Sequence, residues 1–104
     1  MESVRLIQIG DHDLWLMLMS TLRYAMGRRS YITGSTAGLI KKYAYTLNEG
    51  QLQQVQKEVI EEIQRANALG HTLGDQMDED MWRAFISWTE DELQARRKLE
   101  RDPG

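Results

Sequence analysis

Apolar side chains recur at three- and four-residue spacing through most of the chain. That is the signature of amphipathic helices rather than strands. Leu14, Met17, Leu18, Leu22, Ala25 and Met26 mark a first helix over about residues 13–26. Trp15, Leu16 and Met19 widen its apolar face, so this helix is expected to be central. Asp11 and Asp13 suit its positive end, Arg23 its negative end, and Gly27 its stop. Leu39, Ile40, Tyr43, Ala44 and Leu47 mark a second helix over about residues 35–47, with Thr33, Ser35 and Thr36 as candidate caps.

The third helix has the cleanest stripe, in Leu52, Val55, Val59, Ile63 and Ala66, with Ile60 beside it. Asn48 followed three residues later by Gln51 reads as a capping box. Glu61 precedes Arg65 by four residues, the favourable order for a surface pair. Gly70 and Gly74 bracket its end. A fourth helix opens between Asp75 and Asp78 and carries Trp82, Phe85, Ile86, Thr89 and Leu93 on one face. From Glu90 onward the chain is charged, with Glu92 four residues before Arg96, and this segment can extend the helix into solvent before fraying at Asp102 to Gly104.

Four such helices with short connections predict an all-α fold, a small bundle of about four helices with an N-terminal arm. The arm is residues 1–10, where Val4 to Ile9 has strand character but no partner strand. The helical domain is residues 11–93, and residues 94–104 form a charged C-terminal tail. Leu18, Leu22, Ile40, Val59, Ile63, Trp82 and Phe85 are the expected core.

Composition narrows the function classes. The 104 residues fit one domain, and no cysteine is present, which excludes disulfides, thiolate metal sites and a thiol nucleophile. The opening residues lack the apolar core of a signal peptide, and no apolar run approaches a membrane span. A cytoplasmic protein is expected. Charge is unevenly placed. Residues 14–48 hold Arg23, Arg28, Arg29, Lys41 and Lys42 and no acid, so this stretch is +5 and the remainder −8 within a total of −3. Such a split either neutralises itself in the fold or marks a surface for an anionic partner.

The densest local feature runs from Leu22 to Ile32, where a helix end and Gly27 are followed by Arg28, Arg29 and Tyr31. Arginines there can grip phosphates or carboxylates bidentately, with Tyr24 and Tyr31 stacking beside them. The structural alternative is that they bond the open carbonyls of the first helix or pair with Asp75, Asp78 or Glu79. Gly34 to Gly38 lacks the spacing of a nucleotide loop and reads as ordinary capping. His12 and His71 lie far apart without a matched third ligand. The cluster Asp75, Asp78, Glu79 and Asp80 lacks a calcium-loop pattern and reads as capping and solvated charge. No Ser–His–acid arrangement is suggested. A helix-turn-helix is disfavoured because its second helix would carry Glu58, Glu61 and Glu62 toward DNA. No catalytic residue, metal ligand or cofactor is therefore assigned, and the chain is expected not to be an enzyme.

The stretch Arg23 to Ile32, together with Leu52 to Ala66 and the acidic turn leading to Trp82, resembles small proteins encoded in phages, prophages and plasmids. The resemblance covers about residues 14–88, and its arginine motif is its most specific part. Members often carry a cysteine in the acidic turn. This chain has Met77 nearby instead, which removes any metal or redox role for the turn. The resemblance implies a mobile-element origin and a host cytoplasmic location, and no particular reaction.

The expected function is that of a non-enzymatic accessory protein. It would bind and modulate a host nucleic-acid-handling machine, as an anti-CRISPR-like inhibitor of a defence nuclease does. Its expected contacts are Arg23, Arg28, Arg29, Tyr31, Lys41 and Lys42. The alternative is direct nucleic-acid binding by the basic 23–43 segment. Trp15, Met19, Met81 and Trp88 are too many large apolar side chains for one helix pair to hide, which predicts a homo-oligomer.

Overall fold

A computed structural model of the chain describes residues 9–27 and 32–101. It is all-α, with helix α1 at Asp11–Gly27, α2 at Thr33–Lys42, α3 at Glu49–Ala68 and α4 at Gln76–Arg101. A single 3-10 turn at Ala44–Thr46 joins α2 to α3. The helices close a ring: α1 packs on α2 and α3, and α4 packs on the same two from the other side. Of the predicted arm, only Ile9 and Gly10 fall within the described residues.

All seven expected core residues are buried, with Leu22, Val59 and Phe85 fully enclosed. Trp82 meets Phe85 edge-on at 6.1 Å, and Phe85 stacks on Trp88 at 5.8 Å. Edge-to-face and offset rings are the arrangements that the aromatic quadrupole favours.

Helices α3 and α4 run antiparallel, and their polar contacts set the register. Glu49 pairs with Arg97 at 2.8 Å, Gln56 bonds Glu90 at 2.9 Å, and Asn67 bonds Glu79 at 2.8 Å. The predicted capping box is present, with Gln51 N–H donating to Asn48 Oδ1 at 2.8 Å and Asn48 N–H to Gln51 Oε1 at 3.0 Å. Helix α3 ends on Gly70 at φ 87°, where Gly70 N–H bonds the Asn67 carbonyl and His71 N–H bonds that of Ala66. This double closure needs a left-handed residue, which glycine supplies without strain. Gly74 is held more tightly: at φ 79°, a Cβ there would meet Asp78 Oδ2 at 2.6 Å.

Four expectations change. The second helix stops at Lys42. Thr46 Oγ1 then bonds the Tyr43 carbonyl, and the Arg96 guanidinium reaches from α4 to the carbonyls of Ala44 and Leu47. That distant cap, invisible to local spacing, turns the last residues into a 3-10 turn. The cap of α2 is Ile32, with no side-chain cap bond, because Thr33 and Thr36 face the core instead. The Glu61 to Arg65 pair is replaced by Lys57–Glu61 at 3.9 Å and an Arg65–Glu62 pair. The charged stretch from Gln94 continues α4 as far as Arg101, and Arg96 and Arg97 bind it to the body.

The acidic turn also differs from simple solvated charge. Asp75 and Asp78 cap each other's backbone N–H, at 2.8 and 3.2 Å. Glu79 is buried, 5% exposed. It accepts from Leu73 N–H at 3.0 Å and Asn67 at 2.8 Å, and it pairs with Arg83 at 3.3 Å. These contacts hold its carboxyl below the usual glutamate range. The Leu73 amide contributes most and the Asn67 amide next.

Candidate functional site

The polar frame of α3 and α4 leaves the flank of α1 and the end of α2 as the less covered side. A groove of about 510 Å³ lies there. Its floor and walls include Leu14, Met17, Leu18 and Thr21 of α1, Leu39 of α2, and Tyr43 and Tyr45 around the 3-10 turn. Met17 is 54% exposed and Tyr45 79% exposed. Large apolar side chains gathered in one exposed depression mark an interaction surface more often than isolated ones do.

The last turn of α2 carries two cations, of which Lys42 adjoins the groove through Tyr43. Lys41 Nζ lies 5.8 Å from the centre of the Trp88 ring, and Lys42 Nζ 5.6 Å from that of Tyr43. Tyr43 in turn faces Tyr45, with ring centres 6.5 Å apart. Each ammonium sits within range of the ring quadrupole, which holds it while its head stays in water. Both lysines also occupy the last turn of α2, where positive charge complements the helix dipole. Among the described residues neither forms an ion pair.

Arg23 is placed elsewhere. It does not close the α1 carbonyls but reaches α3 and grips Glu58 with both arms of its fork, Nε at 2.8 Å and Nη2 at 3.0 Å. The bond from Arg23 lowers the Glu58 carboxyl below its usual range, more than the weaker bond from Gln54 does. The structure thus seats Lys41 on Trp88 of α4 and Lys42 on Tyr43 at the end of α2, and leaves Arg23 on the α3 side. Arg28, Arg29 and Tyr31 lie outside the described residues.

Met19, expected to be exposed, is buried, while Trp15, Met81 and Trp88 are half-buried. The apolar exposure falls instead on Leu16, Met17, Tyr24, Leu39 and Tyr45, and on Leu69, Met77 and Leu99 of the other side. Sequence reasoning placed Met17, Leu39 and Tyr43 in buried stripes. The available signal was an apolar face on α1 too wide for one contact surface.

A second depression of about 420 Å³ between α3 and α4 is rimmed by Asn67 and Arg83, which are bonded to each other at 3.2 Å and to Glu79. Its polar groups serve the fold. Among the described residues, no three metal-ligating side chains come together, and no helix is long and apolar enough to cross a membrane. Comparison with family models, curated proteins and solved structures finds no match to this chain.

Proposed function

We propose that the chain is a non-enzymatic accessory protein of a mobile element that binds a host nucleic-acid-handling machine and modulates it, as an inhibitor of a defence nuclease would. The observation that carries this reading is the cationic end of α2: Lys41 and Lys42, each anchored on an aromatic ring, the Lys42 ring facing the exposed Tyr45. An anchored ammonium has already lost side-chain freedom. Gripping a carboxylate on a partner then costs less ordering entropy than it would for a free lysine. The occupant this end of α2 suits is an acidic protein surface. Arg28, Arg29 and Tyr31 join the set on the strength of the sequence motif and its resemblance to mobile-element proteins, which also supplies the host cytoplasm as the place of action.

Direct nucleic-acid binding by the 23–43 segment is the weaker reading. A strip of phosphate contacts needs several unneutralised cations along one path, and Arg23 is already engaged by Glu58. The deciding experiment is capture from host lysate on the immobilised chain, with and without nuclease. It is run in parallel with a Lys41→Glu, Lys42→Glu variant that melts like the parent. Nuclease-resistant capture of a nucleic-acid-processing enzyme, lost with the charge reversal, supports the proposal. Capture that vanishes with nuclease transfers the function to nucleic acid. Capture indifferent to the charge reversal removes the end of α2 from consideration.

A further inference from the structure

We infer that Arg96 of α4 is a positioning residue for the site proposed at the end of α2: it fixes the 3-10 turn from which Tyr45 stands against Tyr43, without being a contact of the partner. Its bearing on binding rests on the function proposed above; its geometry does not. The capping box of α3 creates the need for it. In a continuous helix the Ala44 carbonyl would take its bond from Asn48 N–H and the Leu47 carbonyl from Gln51 N–H. Both donors are engaged, the first by Gln51 Oε1 at 3.0 Å and the second by Asn48 Oδ1 at 2.8 Å. Ala44 and Leu47 are both buried, so water is a poor substitute for the missing donors. The Arg96 guanidinium serves both carbonyls, Nη2 donating to Ala44 at 2.8 Å and Nη1 to Leu47. Its Nε bonds Glu92 one turn back at 3.2 Å, which orients the fork. The next residue, Arg97, holds Glu49 at 2.8 Å. Two consecutive side chains of α4 thus hold the connection on either side of Asn48.

Nothing local dictates this turn. Tyr43 to Leu47 contains no glycine or proline, and its apolar spacing favours a helix that runs on through Leu47. The choice decides where Tyr45 points. Two steps of 3-10 helix rotate the chain by about 240° and two of α-helix by about 200°, so the direction of Tyr45 relative to Tyr43 differs by about 40°. In the structure the two ring centres are 6.5 Å apart, which sets Tyr45 against the ring that carries Lys42. Tyr45 is 79% exposed, so little packing holds it there. Its place comes from the backbone beneath it, and that backbone is tied by Arg96. The arginine itself is directed inward at two carbonyls and at Glu92, with its side chain only 25% exposed. A lysine at this position would keep the charge but lose the planar fork that spans both carbonyls.

The experiment joins NMR of the full chain to titration with a hexaglutamate peptide, the acidic probe, at low salt. In Arg96→Ala the ring-to-ring NOEs between Tyr43 and Tyr45 should vanish and the carbon shifts of residues 43–47 should move. The ring-current shift of Lys41 over Trp88 should stay, because that contact does not pass through the turn. Peptide affinity should fall roughly five- to tenfold, the scale of one interface contact. Methylguanidinium added to Arg96→Ala should restore both the NOEs and the affinity. Arg96→Lys keeps the charge and should still lose both; it carries the same test if Arg96→Ala does not fold. Val59→Ala loosens the core away from the turn and should lower the melting temperature while leaving NOEs and affinity in place. Tyr43–Tyr45 NOEs that survive in a folded Arg96→Ala variant would overturn the positioning role. So would an Arg96→Lys variant that loses the NOEs yet binds like the parent, or an equal loss of NOEs in Val59→Ala. A peptide that does not bind the parent counts against the acidic-surface reading alone, and the NOEs then decide on Arg96.

Discussion

Helices α3 and α4 on one side, and α1 and α2 on the other, solve the same packing problem with opposite treatment of their outer surfaces. Along α3 and α4, many charges are paired within the fold. Glu49 meets Arg97, Lys57 meets Glu61, Glu62 meets Arg65, Glu79 meets Arg83 and Glu92 meets Arg96. Both ends of the connection between the two helices are closed by side chains or glycines. On α1 and α2, by contrast, the outward residues include Leu16, Met17, Leu39, Lys41 and Lys42, while Arg23 is paired with Glu58 of α3. The α3 and α4 side also exposes Leu69, Met77 and Leu99, but the other side gathers Met17, Leu39 and Tyr45 around one groove. Such groups are where an interaction is to be sought.

The largest expected effect tests the first half of this contrast. Trp82→Ala removes a 1% exposed ring packed against Phe85 and should cost about 3–5 kcal/mol. It is measured by thermal or denaturant unfolding. An unchanged melting temperature would mean that the core does not centre on α4.

Next comes Glu79→Gln. The Glu79 carboxylate is tied to Leu73, Asn67 and Arg83, and its folded pKa lies below the ordinary 4.5. A carboxylate with a lowered folded pKa contributes stability that is complete above its unfolded value and is lost as pH falls through the folded one. The parent should therefore lose melting temperature steeply below about pH 4.5. Glu58 and Glu90 act in the same direction. Glu79→Gln should melt lower at neutral pH and lose less over the acid range. Parallel pH profiles for the two proteins would remove Glu79 from the fold's charge network. Below this in size stands Asn48→Ala, which deletes half of the capping box and should cost about 1 kcal/mol in urea unfolding.

What the sequence made legible follows the same division. The capping box, the α3 stripe and the core of α4 could be read from spacing alone, because each depends on residues within one or two turns of one another. The end of α2 could not, since the Arg96 guanidinium that ends it arrives from 49 and 52 positions away. The burial of Glu79 was hidden for a related reason. An acid in a first helical turn looks like a dipole partner until the returning loop brings Leu73, and the end of α3 brings Asn67, onto it. On the functional side, Lys41 and Lys42 were legible as cations in an acid-free stretch, but their seating on Trp88 and Tyr43 required the ring of helices. The groove was misread because its residues obey the same periodicity as core residues. Spacing tells which side chains share a face and not whether this chain covers that face.

The smallest effect is expected from Arg23→Ala, the substitution at the seam between the two halves. Its forked grip on Glu58 has good geometry, but the arginine side chain is 62% exposed, and exposed ion pairs gain little over hydration. Glu58 keeps its bond from Gln54 at 2.9 Å when Arg23 is removed. It also lies at the rim, where water can replace the guanidinium. The melting temperature should fall by less than in Asn48→Ala, and the gap to the parent should narrow as salt rises, since screening acts on the pair and not on the packing beneath it. The Glu58 carboxyl, followed by NMR titration, should rise toward its ordinary range once its main hydrogen-bond donor is gone. If the loss instead matches that of the cap and ignores salt, Arg23 is a packing element of the α1–α3 contact rather than a screened tie. The α1 side would then be held to the body by more than its apolar face, and the contrast between the two halves would weaken at the point where they meet.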